Sequence, residues 1–413
     1  MHKLVFLLGI IMLALVAYFG GAFQPHLPGE TSTEQVIQEE STSFAVNTAA
    51  KKPQNTPEGD WQQYRHLRNL SGRVDAVLPV KPVLSWKIAA GTPIKSAPLV
   101  KDDRVFITTQ KGLIAAVNLH TGKKLWQYCF CEPVAATGLW LETDEGLHYF
   151  IGSERGNFFA VNADSGAGVF SFKTKGPING GATYYNNDSR KASQVLFGSH
   201  DAFLYCLDSA SGELIWKLET DNYVNGTPAF VDDLLFLGGC DGFLRAIDPA
   251  TGSESWAIDL ESYIPASPAV EGSVIYVALH DGMLVAIDSK SKKKLWQFKG
   301  NQNSEFYTPP VISKNFVVIA DADGRVHVIN KTDGSLARTV ILAGKVKSEP
   351  LADDDSFIIA DLDGNIYCYS LTQDKLNWKI QHGSPVAAPL TLIKNGLLVG
   401  DLDGFVSLYH PES

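Results

Sequence analysis

Three stretches of this sequence open like a calcium-binding loop: Asp321-x-Asp323-Gly324, Asp361-x-Asp363-Gly364 and Asp401-x-Asp403-Gly404. Alternating carboxylates ligate a hard cation through oxygen, and the glycine permits a sharp turn. None is followed by the Gly-x5-Glu completion that such a loop requires. Each Asp-Gly also falls where Asp241-Gly242 and Asp281-Gly282 fall, so the reading is a turn-forming Asp with a solvated neighbour. His200 and His280 precede Asp in equivalent turns of two non-adjacent units, which argues against a shared metal. Of five cysteines, Cys206 and Cys368 occupy equivalent positions in different units, and Cys240 ends a strand. Cys129 and Cys131 point the same way if both lie in a strand, and a bridge between them would be strained. Structural or free thiols are therefore expected, with a labile disulfide as the alternative. No Ser-His-Asp order, glycine-rich phosphate loop or Cys-x-x-Cys pair stands out. The sequence thus assigns no catalytic residue, no metal and no cofactor.

These residues all sit in a phrase that recurs about every forty positions. Its first glycine is Gly112, Gly156, Gly242, Gly282, Gly324, Gly364 and Gly404, with Ala202 standing in once. Six residues later comes Asn118, Asn162, Asp208, Asp248, Asp288, Asn330, Ser370 or His410. Eight further on lies Trp126, Trp216, Trp256, Trp296 or Trp378, with Phe170 and Arg338 in the same slot of two weaker copies. One unit explains the pattern. A short strand near Ala269 turns at Glu271-Gly272 into Val274–Leu279, and Asp281-Gly282 supplies a tight hairpin. Met283–Asp288 and Lys294–Phe298 then follow as third and fourth strands, which makes one propeller blade. The outer Trp can cover the gap to the next blade while its indole N–H finds a partner.

The last copy ends before its fourth strand, and the missing piece, Val83–Ile88 with Trp86, precedes the first copy. The expected fold is therefore all-β: an eight-bladed propeller of four-stranded antiparallel blades, closed by the N-terminal strand pairing in the C-terminal blade. Seven blades is the competing count. Closure removes exposed sheet edges.

Ala246-Ile247-Asp248, Thr251-Gly252 and Trp256 fit the pattern A-x-D-x-x-T-G-x-x-x-W, so the units resemble the PQQ-like propeller repeat over residues 81–410. Asp60-Trp61-Gln62-Gln63-Tyr64-Arg65 through Gly72 is similar to the lead-in of envelope members. That family includes quinoprotein dehydrogenases and non-catalytic scaffolds, and the resemblance is closest to BamB-like envelope propellers. It implies assistance in outer-membrane protein assembly, since fold alone does not fix function. The enzyme alternative, a PQQ-dependent oxidoreductase, implies an adjacent Cys pair, but Phe130 separates Cys129 from Cys131.

Bulk properties agree with an exported binding protein. The formal net charge is −10, which argues against nucleic acid or a polybasic membrane surface. His2 and Lys3 precede an uncharged apolar run, residues 4–23, long enough to cross a bilayer core. Residues 1–23 read as a signal anchor, or alternatively a cleaved signal peptide. No Cys follows for a lipid anchor, so tethering to the inner membrane on the periplasmic side is expected. Residues 24–60 read as a disordered tether, 61–80 as a lead-in and 81–413 as the propeller. A monomeric propeller with protein partners in the cell envelope is expected. Candidate partner or channel-mouth residues are those just before each first strand: Lys95, Asn179, Asn225, Tyr307, Lys347 and Glu349. A small ligand sensed through the central channel is a further alternative. The longer connections at Cys129–Glu145 and Tyr184–Ser193 are candidate recognition loops.

Overall fold

The computed structural model describes residues 60–74, 81–187, 192–302, 304–394 and 396–412. The expected anchor (4–23), nearly all of the tether and the end of the lead-in (75–80) lie outside the described residues. Among the described residues no helix is long and apolar enough to cross a membrane.

The described chain forms strands numbered in order from β1 (Pro82–Ala89) to β32 (Phe405–Pro411). They assemble into eight four-stranded antiparallel sheets. Seven sheets use four consecutive strands, from blade one (β2–β5, starting at Leu99) to blade seven (β26–β29, ending at Gln381). The eighth has the order β1-β32-β31-β30, where β30 is Thr391–Ile393 and β31 is Gly396–Gly400, with β1 paired antiparallel to β32 from Pro82↔Pro411 to Ala89↔Phe405. The orphan Trp86 strand thus completes the last blade, as the repeat count requires.

Burial within a blade follows its position in the stack. Second strands such as β3 (Arg104–Thr108), β19 (Val274–Ala278) and β27 (Ser356–Ala360) each bury four residues in succession. Neighbouring blades cover both of their faces, so their sequences are continuously apolar rather than alternating. The outer strands β17 (Glu254–Asp259) and β29 (Leu376–Gln381) instead alternate exposed and half-buried residues, as a one-sided strand does.

The outer Trp and the Gly of the turn between third and fourth strands form one junction between blades. The indole N–H of Trp86, Trp126, Trp216 and Trp296 donates to a carbonyl of the next blade, at Leu119, Ala163, Pro249 and Lys331 respectively (2.8–3.0 Å). Each acceptor lies one residue after the Asn/Asp position. The ring lies over the next blade's Gly: a Cβ added at Gly252 would stand 2.5 Å from Trp216. Gly252 also adopts φ +74°, so both space and backbone exclude larger residues. In blade six Arg338 takes the Trp slot, and its guanidinium donates to the Ser370 and Gln373 carbonyls of blade seven. The junction chemistry survives the substitution.

Two expectations need correction. Cys129 and Cys131 are disulfide-bonded, with Cα atoms 5.0 Å apart. Strand β5 (Lys124–Cys129) ends at the first cysteine, and Cys131 turns into the left-handed region at φ +54°. The two side chains therefore escape the strand geometry assumed for them. The connection Cys129–Glu145 is also less loop than expected. Much of it is the inner strand β6 (Leu139–Thr143), which is held by Trp140 N–H to the Gln62 carbonyl at 3.1 Å. Likewise Tyr184–Asn187 belongs to strand β10 (Thr183–Asn187), and residues 188–191 lie outside the described set. In both places extra residues lengthen an inner strand.

Candidate functional site

The innermost strand of each blade faces the propeller axis with one unpaired edge. Residues 61–74 run around that inner margin in the order of the blades. Trp61 exchanges two backbone hydrogen bonds with Val100 of blade one, and Gln62 accepts from Trp140 of blade two. Arg68, Asn69 and Ser71 carbonyls then accept from Phe230, Val270 and Ile312 of blades four, five and six (2.7–2.9 Å). Gly72 and Arg73 end the run beside Ala352 of blade seven, where Val74 N–H donates to the Ala352 carbonyl at 2.9 Å. Blade three is met through side chains: Arg68 stacks over Tyr184 and Phe230. This inner collar satisfies edge groups that would otherwise face the axis. It is anchored by Trp61 and Leu70, which are fully buried.

Arg65 is also fully buried, and one of its terminal nitrogens donates to the Pro310 carbonyl at 2.8 Å. Gly72, at φ +65°, leaves the space the guanidinium fills, since a Cβ there would stand 2.0 Å from it. The Tyr64 hydroxyl donates to Glu349. Burial pushes the Tyr64 and Glu349 pKa values up and the Arg65 value down, while the Arg65 and Glu349 charges oppose each other's shifts. Tyr64 and Glu349 thus form a hydrogen-bonded knot, with the buried charge of Arg65 beside it.

Above that knot lies a cavity of about 460 Å³. Eight equivalent residues, one per blade, line it: Lys95, Ala135, Asn179, Asn225, Pro265, Tyr307, Lys347 and Ala387. The structure therefore gathers Lys95, Asn179, Asn225, Tyr307, Lys347 and Glu349 around one space. Tyr64 of the collar joins the lining, a contribution that the blade repeat does not announce.

The rim of blades three to six carries rings. His200 stacks on Tyr223 at 4.8 Å, and His280 lies 6.3 Å from Tyr263 and 5.3 Å from Tyr307. Tyr307 donates to Glu305 at 2.7 Å, so it accepts from His280 Nε2 at 3.0 Å. Tyr223, Tyr263 and Tyr307 are 51%, 58% and 49% exposed. The Asp-x-Asp-Gly turns are committed internally. Asp361 Oδ1 accepts from the N–H groups of Asp363 and Asn365 (3.0 and 2.8 Å), and Oδ2 accepts from Tyr367 at 2.8 Å. Asp401 accepts from Phe405 N–H and pairs with His382 at 3.0 Å. Burial works against its charge, but His382, the Phe405 N–H and Lys87 hold its pKa below the usual range. Among the described residues no three His, Cys, Asp or Glu side chains are grouped to hold a metal.

Eight closed four-stranded blades, a Trp–Gly junction and loops around an axial cavity define a propeller of PQQ-like repeats. The chain belongs to the family described as outer membrane protein assembly factor BamB, whose model matches residues 83–169, 154–306 and 293–406. BamB of Shewanella oneidensis is 24% identical over 282 residues, which cover 65% of this chain and 59% of that protein. The match thus spans less than two thirds of that relative's length. The crystal structure of BamB from Moraxella catarrhalis superposes with a TM-score of 0.67 at 19% identity, over 80% of this chain and 99% of that one. Quinohemoprotein alcohol dehydrogenase from Comamonas testosteroni gives 0.70 at 11% identity, over 86% and 81%. These two likenesses show a shared fold.

Proposed function

We propose that this protein is a non-catalytic scaffold of a bacterial envelope that presents its cavity-side loops to protein partners in outer-membrane protein assembly. Membership of the BamB family carries the reading. The exposed tyrosines of the rim support it, because aromatic residues on a rigid frame are favoured at protein interfaces. In this reading residues 4–23 tether the chain to the inner membrane, 24–60 act as a spacer, and the propeller works as a monomer on the periplasmic side. Lys95, Asn179, Asn225, Tyr307, Lys347 and Glu349 belong to the partner-facing end, and Trp86, Trp126, Trp216, Trp256, Trp296 and Trp378 hold the frame.

A photocrosslinker at Tyr223 or Tyr263 tests this in native membranes. Adducts with outer-membrane assembly proteins are expected at the rim and not at Leu125 or Leu376 on the outer strands. Adducts only at the outer strands would overturn the docking face. Reduction of a dye after addition of PQQ and calcium would overturn the non-catalytic reading. Recovery of the protein in the soluble fraction after alkaline extraction would remove the membrane tether.

A further inference from the structure

The axial cavity has a charge pattern that a scaffold does not need. The chain as a whole is acidic, with a formal net charge of −10. Yet the charged side chains lining the cavity are Lys95, Lys347 and Glu349. Glu349 accepts a hydrogen bond from Tyr64, and the positive charge of Arg65 favours its ionised form. Among the described residues, neither Lys95 nor Lys347 forms an ion pair. They stand on blades one and seven, on either side of blade eight, which contributes only Ala387 and Pro389 to the lining. Two unpaired ammonium groups, one half-buried and one exposed, therefore flank an apolar stretch of wall and outnumber the single carboxylate, so the local field favours a small anion.

The opposite wall is uncharged and polar. The Asn225 side-chain N–H donates to the Pro265 carbonyl at 3.0 Å, which fixes the amide and leaves Oδ1 facing His200 Nε2 at 3.0 Å. That ring nitrogen must then carry its proton. Asn179 Nδ2 lies 3.3 Å from the same nitrogen, and Asn179 Oδ1 is buried without a hydrogen-bond partner. The Asn225 amide is thus oriented before any ligand arrives, and Asn179 Oδ1 is left to accept from one. Tyr307 and Thr227 complete this side. The volume, about 460 Å³, falls within the range of small-molecule sites.

We propose that the cavity is a binding site for a small polyhydroxylated oxyanion. Its carboxylate or phosphate sits between Lys95 and Lys347, and its hydroxyl groups meet the Asn179, Asn225 and Tyr307 wall. Charge-assisted hydrogen bonds to two ammonium groups supply the affinity, and the Asn179 and Asn225 amides supply orientation. Tyr307 and both lysines also belong to the partner-facing end, and binding of small anions is measured with no partner present.

Isothermal titration of the full chain with glucuronate, glucose 1-phosphate and glucose tests the assignment and separates the two oxyanions. Saturable binding of at least one anion is expected, with glucose at least about tenfold weaker. The double variant K95Q/K347Q should lose about tenfold or more for the anion and leave glucose unchanged, with an unaltered melting temperature. Asn179→Asp, which adds a negative charge to the opposite wall, should weaken the anion selectively. Absence of saturable binding by both anions, or undiminished binding in the double variant, would overturn the proposal.

Discussion

The outer and inner margins of the blades meet the same need in opposite ways. At the outer margin each junction has its own Trp, Phe or Arg; Trp86, Trp126, Trp216, Trp296 and Arg338 are tied to the next blade by a hydrogen bond, and Trp86, Trp126, Phe170, Trp216 and Trp296 sit on its turn glycine. At the inner margin one non-repeating segment, residues 61–74, serves the edges of six blades in turn. The first solution is distributed, so damage stays local. The second is shared, so damage reaches every blade it touches.

The largest effect should come from replacing residues 61–74 with a Gly-Ser stretch of equal length. Six inner strands lose backbone partners, and Trp61 and Leu70 lose burial contributing about 1.5–3 kcal/mol each. We expect a cooperative loss exceeding about 4 kcal/mol in urea unfolding; a shift no larger than that of one outer Trp variant would refute the contrast. Next is Arg65→Met, which leaves Glu349 facing the axis without its counter-charge and should cost about 3–5 kcal/mol. Adding Glu349→Gln to it should restore part of that loss, and strict additivity of the two would deny their coupling.

Trp216→Ala should cost about 2–4 kcal/mol, with hydrogen-exchange protection lost at blades three and four only. Spread of the loss around the ring would erase the distinction between local and shared. Gly252→Ala, at the same junction, should cost about 1–3 kcal/mol through its positive φ and its contact with Trp216. The smallest effect concerns pH. Burial lowers the pKa of His327 and of His410 below the ordinary histidine value of about 6.5, and His120 adds to the effect at His410. The unfolded chain then binds more protons, so stability is complete above pH 6.5 and falls as pH drops below it. His410→Gln should flatten that slope, and an unchanged slope would dissociate ring closure from acid sensitivity.

The same contrast explains what the sequence disclosed. Trp86, the Gly252 turns and the cavity positions were readable because each recurs at a fixed offset, so the register of one blade places the other seven. Lys95, Asn179, Asn225, Tyr307 and Lys347 were found that way, while Ala135, Pro265 and Ala387 occupy the same ring position without polar chemistry to draw notice. The collar was not readable. Its partners are backbone N–H groups, which leave no trace in side-chain pattern, and Gln62, Gln63, Arg65 and Arg68 look like solvent-facing residues. The Cys129–Cys131 bridge was missed for a related reason, because one left-handed residue breaks the strand alternation on which the expectation rested.

The collar also sets how the molecule bears load. A pull on the chain upstream of Asp60 reaches Trp61 on blade one first, through Asp60 held by Lys101 at 2.8 Å. Its attachments are arranged one after another around the axis, so tension would peel them singly. Straightened, residues 61–74 span at most about 50 Å. Tension on the chain ahead of Asp60 would therefore be spent on the collar before it reached β1, and each bond it breaks strips an inner strand of its backbone partner.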